Sequence, residues 1–247
     1  INLLTFDTDG NNLAKAIVAY LCNTMGEAFS KLIQYDTKNN SKQKLALAYF
    51  RRSIELHGER ETYHRNYGCA LERIDKTNNN FGNNKAEIIK HYTMSVQLAL
   101  KNVDDPLTLQ KPFRVLLSYY ERSIRASLQC KMGSAYVSLF SEISIADIDP
   151  TLLQNAVDEI SDFFRYAQLS VKILPQIALH QKLFGFACSY VWLLKKKGID
   201  TKAIDPRDEA ETLMKEAIWF LDKFCMEDDY IKDLRDRKEK LTAYMTE

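Results

Sequence analysis

The chain has little glycine and proline, eight and five among 247 residues, and no stretch that approaches 18 uncharged apolar residues. The first scarcity excludes collagen-like and low-complexity chains, and the second gives no sequence signal for a membrane span. A dominant charge is also missing: 34 Lys and Arg face 33 Asp and Glu, for a net charge of +1. Long-range attraction to nucleic acid or to an acidic membrane is therefore not expected. There is no C-x-x-C pair. The five cysteines, Cys22, Cys69, Cys130, Cys188 and Cys225, lie far apart in apolar stretches and read as buried thiols of a reducing setting, cytoplasmic or nuclear. Ile1 to Gly10 hold two aspartates and no basic region before an apolar core, so no signal peptide is expected within this sequence; because it starts at Ile1, a preceding segment is left open.

Alternation of apolar and polar residues at period two is nearly absent as well, which argues against strands. What the chain has instead is apolar side chains spaced three and four apart, enough at 46% of residues to offset the entropy of ordering a backbone. The spacing predicts helices over Leu13–Gln34, Gln43–Leu56, Glu61–Ile74, Ala86–Leu100, Pro112–Phe140, Thr151–Leu174, Ile177–Lys196, Arg207–Phe224 and Tyr230–Tyr244. Polar or Pro/Gly-bearing breaks separate them, such as Asn78-Asn79-Asn80, Asp104-Asp105-Pro106 and Gly198 to Pro206. The fold class expected is all-α, one domain over residues 1–247 built of antiparallel helix pairs, with an internal break left open near 100–112.

The first two pairs repeat with a period of 42 residues. Met25-Gly26-x-x-Phe29 aligns with Tyr67-Gly68-x-x-Leu71, and Ala46-x-x-x-Phe50-x-x-Ser53-Ile54 with Ile88-x-x-x-Tyr92-x-x-Ser95-Val96, without a gap. Echoes follow at Met132-Gly133-x-x-Tyr136, Phe163-x-x-x-Ala167-x-x-Ser170, Phe184-Gly185-x-x-Cys188 and Ala210-x-x-x-Met214-x-x-Ala217. Gly inside a helix costs up to about 1 kcal/mol relative to Ala, so Gly26, Gly68, Gly133 and Gly185 call for a compensating close approach of a partner helix. The large residues Phe50, Tyr92 and Met214 are expected to fill the space between small ones.

In these residues the sequence resembles the tetratricopeptide repeat family, whose first helix carries a large residue, Gly and then an aromatic or Leu, and whose second carries Ala, an aromatic and Ala at the same spacing. The resemblance implies stacked antiparallel helix pairs in a right-handed superhelix with a peptide-binding groove. This chain departs from the family in its 42-residue period and in lacking the closing proline after Ser53 and Ser95. The family's groove positions, counted from each Gly, fall on Asn23, Glu27, Ser30 and Lys31, then on Arg65, Cys69, Glu72 and Arg73. Cys130, Ser134, Val137 and Ser138 follow, and then Lys182, Phe186, Ser189 and Tyr190. Among these, Asn23, Lys31, Arg65, Arg73, Lys182, Phe186 and Tyr190 are the candidate partner-binding residues. Lys31, Arg65, Arg73 and Lys182 would form a cationic ladder for an acidic or C-terminal peptide, with ordinary solvated charges as the competing reading.

Catalytic signals are weak. His57, His64, His91 and His180 form no close pair along the chain and no acidic cluster has metal spacing. The glycines come singly, and Asn80-Phe81-Gly82-Asn83-Asn84 is followed by no Lys-Ser/Thr that would make a phosphate cradle. No catalytic residue, cofactor or metal is assigned. The function expected is a scaffold or adaptor that binds another protein or peptide, with nucleic acid disfavoured as a partner by the charge balance and with no membrane span. Two alternatives remain: an enzyme or enzyme-regulatory domain with its site between helices, and an RNA-binding helical repeat.

Overall fold

The computed structural model describes residues 12–33, 40–78, 82–102, 105–128 and 149–201, together with the helical positions Thr212 and Lys215. Among the described residues there are eight α-helices and no strand, as the apolar spacing predicts. They are α1 (Asn12–Leu32), α2 (Asn40–His57), α3 (Glu61–Thr77), α4 (Lys85–Lys101), α5 (Gln110–Ser127), α6 (Pro150–Asn155), α7 (Val157–Ile173) and α8 (Ala178–Lys196), with a 3₁₀ turn at Pro106–Leu109. The expected helix Thr151–Leu174 is interrupted at Ala156, whose N–H is shared among the carbonyls of Leu152, Leu153 and Gln154, a tightening that ends one helix and starts the next. The Met132–Tyr136 echo, residues 129–140 of the helix expected over Pro112–Phe140, and the helix expected over Tyr230–Tyr244 lie outside the described residues, as do Ala210, Met214 and Ala217.

Local chemistry sets the ends of these elements. Asp149 caps α6 by accepting from the Thr151 N–H at 2.8 Å, with Pro150 in the first turn, and Asp105 caps the 3₁₀ turn in the same way ahead of Pro106. α8 ends in two lysines and a left-handed Gly198 at φ 68°. The Ile199 N–H there reaches the Leu194 carbonyl at 2.9 Å and the Gly198 N–H reaches Lys195 at 3.0 Å, the paired bonds of a Schellman motif.

The chain divides into two compact units, Ile1–Leu116 and Leu117–Glu247. In the first, α1 and α2 are antiparallel: Ile33 just beyond α1 packs on Ala46 near the start of α2, while Val18 near the beginning of α1 shares a cluster with Tyr49 and Leu56. α3 and α4 form the second hairpin, its connecting loop fastened by Asp75, which accepts from the Asn84 backbone N–H and side-chain amide at 3.1 and 2.6 Å.

Both hairpins close on the same contact. A Cβ placed on Gly26 would sit 2.9 Å from the Phe50 ring, and one on Gly68 would sit 2.6 Å from the Tyr92 ring. The glycines are required because the aromatic ring of the returning helix occupies the space a side chain would need. The other aligned positions of the returning helices, Ala46 and Ile88, Ser53 and Ser95, are fully buried. In the second unit α7 packs on α8, with Phe163 against Tyr120 and Tyr190 at 6.2 and 6.3 Å and Phe164 against Phe184 at 5.7 Å. Its Ser170 donates to the Ala167 carbonyl at 2.8 Å as Ser53 does to Phe50 at 2.7 Å.

Candidate functional site

α1 and α3 lie side by side, joined by a polar seam. Asn23 donates through Nδ2 to Glu27 Oε1 at 2.8 Å. Asn66 donates to the same oxygen at 2.6 Å and to Asn23 Oδ1 at 3.2 Å. Farther along, the Arg73 guanidinium donates to the buried Ser30 hydroxyl. The two rows of residues expected to line a groove are thus brought together, but largely onto each other. Asn23 is buried in the seam. Arg65 donates to both carboxylate oxygens of Glu61 at 3.2 Å, and Glu61 accepts from Ser95 of α4 at 3.1 Å. Asn66, which completes the seam, was missed because the spacing counted from Gly68 selects its neighbour Arg65.

Lys31 stands apart from this network. It is exposed and shares the outward side of α1 with apolar residues. Lys182, Phe186 and Tyr190 belong to the second unit, where the Lys182 ammonium lies 5.5 Å from the centre of the Phe186 ring and both aromatic residues are buried. Cys130, Ser134, Val137 and Ser138 lie outside the described residues.

On the far side of α3, the Tyr92 hydroxyl donates to Glu72 Oε2 at 2.9 Å and touches Cys69 Sγ at 3.4 Å. Burial pushes the Cys69 thiol up, so it stays protonated at neutral pH and is not an activated nucleophile. Tyr67 donates to Glu87 Oε1 at 2.7 Å and accepts from Arg51 Nε at 2.8 Å. Burial, helped by the Glu87 bond, pushes its hydroxyl up to about 12. Among the described residues no group of three or more His, Cys, Asp or Glu is placed to hold a metal ion.

Two histidines that form no pair in sequence meet in space. His64 Nδ1 and His91 Nδ1 are 2.9 Å apart with the rings stacked, and His64 Nε2 lies 3.0 Å from the Gly58 carbonyl oxygen. A carbonyl only accepts, so His64 donates from Nε2 and accepts at Nδ1, and His91 donates from Nδ1. Burial lowers both rings, His91 to about 4 with help from its neighbour His64, so the pair is neutral at pH 7. In the first hairpin the aligned residues are Cys22 and Tyr49, which share an apolar cluster.

An exposed apolar stripe lies on α1. Among the described residues, six of the eight exposed large hydrophobic side chains belong to this helix: Leu13, Ile17, Tyr20, Leu21, Met25 and Leu32, each 40–69% exposed. The repeat shows what such a face does. One period on, Leu21, Met25 and Leu32 become Tyr63, Tyr67 and Ile74 of α3, all buried. There α2 covers them: His57 packs edge-on to Tyr63, Phe50 lies 6.4 Å from Tyr67, and Ala46 packs with Ile74. Lys31 and Thr24 likewise correspond to Arg73 and Asn66, which α3 turns toward α1. The outward side of α1 is the face that α3 uses to receive the helix pair before it. Its sequence signal is that apolar residues occupy two sides of α1, more than a single core stripe requires.

Comparison of the chain with protein-family models, with curated proteins and with solved structures finds no match. No described helix is long and apolar enough to cross a membrane.

Proposed function

We propose that the chain is a protein-interaction scaffold of the tetratricopeptide-like kind that holds a partner helix on the outward face of α1. The observation that carries this reading is the exposed apolar stripe on α1, whose Leu21, Met25 and Leu32 stand at positions that α2 covers one repeat later. An exposed patch of this size is a site of association far more often than a neutral stretch of surface, and the final faces of helical arrays are ordinarily polar. The stacking of further helix pairs into a superhelix belongs to the same proposal. A helix suits the face better than an extended acidic peptide does, because Arg65 and Arg73 are already engaged by Glu61 and Ser30. The cytoplasmic or nuclear setting expected from the cysteines is kept, and the free thiols of Cys22, Cys69 and Cys188 fit it.

The test is affinity capture from the native source with the intact chain, comparing wild type, Leu21→Glu with Met25→Glu, and Arg65→Ala. All three are first checked for native helicity. The double variant is expected to lose the partners that wild type and Arg65→Ala retain. An unchanged partner set in the double variant would reject the outward face of α1 as the binding surface.

A further inference from the structure

We infer that the outward face of α1 pairs with the same face of a second copy of this chain, as an antiparallel two-fold helix pair. This rests on the interaction reading above and names its occupant. Eight of the ten exposed positions of α1 are symmetric about the Cys22–Asn23 peptide bond: Leu21 mirrors Thr24, Tyr20 mirrors Met25, Ile17 mirrors Ala28, and the two leucines that end the stripe mirror each other, while Asn12 and Lys31 lie outside the symmetric set. All of these positions are exposed. Two copies of α1 laid antiparallel across that midpoint therefore set every member of the stripe against another member, as an isologous interface demands.

The side chains complement one another in size. The branched Ile17 meets the small Ala28 of the other copy, and the Tyr20 ring meets the flexible thioether of Met25, a favourable sulfur–aromatic contact. The Thr24 hydroxyl already donates to the Tyr20 carbonyl at 3.0 Å, so its methyl group can face Leu21 of the other copy without leaving a polar atom unsatisfied. Charge does not oppose the pairing. Lys31 is the charged residue of the face, and the two-fold operation sets the two lysines at opposite ends of the contact, about 25 Å apart at 1.5 Å per residue. The six large side chains of each copy leave roughly 600 Å² open, so pairing would cover at most about 1,200 Å², the lower bound of a specific interface. A partner of unrelated sequence would place no symmetry requirement on the spacing, whereas self-pairing requires it.

Mass measurement by sedimentation equilibrium or light scattering across about 0.1–100 µM, on the intact chain, tests this. Wild type is expected to pass from monomer to dimer in that range. Tyr20→Glu alone and Met25→Lys alone each weaken the dimer at least about tenfold, and the two changes together restore it to within about threefold. The rescue is specific, because positions 20 and 25 face each other only between antiparallel copies and are five apart within one helix, where they do not pair. A wild type that stays monomeric throughout overturns the inference. So does a dimer insensitive to either substitution, and so does a double variant no better than the singles, as parallel pairing would give. A monomeric wild type that still loses its captured partners when Leu21→Glu and Met25→Glu are introduced ends the self-pairing but leaves the interaction reading standing; if both measurements are negative, both fall.

Discussion

At Gly68 one methyl group decides whether the second hairpin closes as it does. A Cβ there meets the buried Tyr92 ring at 2.6 Å, and that ring is pinned by its hydroxyl bond to Glu72. Gly68→Ala is expected to lower stability by about 1–2 kcal/mol, the cost of overpacking less the helix propensity that Ala returns. Gly26→Ala, whose Cβ would meet the apolar Phe50 ring at 2.9 Å, should cost less and recover in part when Phe50→Leu is added; urea denaturation of the four proteins reads both. The histidine pair predicts a pH dependence. Both rings are lowered in the fold, so the folded chain binds fewer protons than the unfolded one below the ordinary histidine value near 6.5. Their contribution is complete above about pH 6.5 and is lost as pH falls toward about 4. His91→Asn should flatten the stability–pH curve over that window, by on the order of 1–2 kcal/mol after allowing for solvent screening of half-buried rings. Urea midpoints at pH 7.5 and 5 for both proteins check it, and parallel curves would reject the assignment.

α1 faces three surroundings. Val18, Cys22 and Gly26 lie against α2, Asn23, Glu27 and Ser30 line the seam with α3, and the stripe around Leu21 and Met25 is exposed. This division separates two kinds of charged and polar residue that look alike in sequence. Asn66 bridges two acceptors in the seam, so Asn66→Ala should destabilise by about 1–2 kcal/mol and couple to Asn23→Ala in a double-mutant cycle by at least about 0.5 kcal/mol. Lys31→Ala, on the exposed side, should stay within about 0.5 kcal/mol of wild type. Thermal or urea unfolding of the set would expose an error in either direction. If Lys31 proved as costly as Asn66, its side chain would have a structural partner and the outward face would have to be redrawn.

Across the whole chain, the parts legible in sequence are those whose cause is local or repeated. Helices show through apolar spacing, and Gly26 and Gly68 announce their close contacts because a glycine inside a helix needs a compensating packing partner. The aromatic that fills each contact was legible as well, since Phe50 and Tyr92 recur at the same distance from their glycines. The pairing of His64 with His91 was not legible, because it depends on the register in which α4 returns along α3, and a shift of one residue would turn His91 to another side. Nor could spacing alone show that Arg65 and Arg73 are engaged by Glu61 and Ser30, since an arginine in a salt bridge and one facing solvent occupy the same kind of position in a pattern. The division of α1 into a covered and an open apolar side required knowing which neighbours exist. The Gly–aromatic contacts also bear on how the chain folds. Each joins residues 24 apart, Gly26 to Phe50 and Gly68 to Tyr92, so the two hairpins carry the same small loop-closure penalty and neither must wait for the other. Contacts this local belong to the fast-folding class, and during synthesis the first hairpin can close as soon as α2 emerges, giving α3 a finished surface on which to dock.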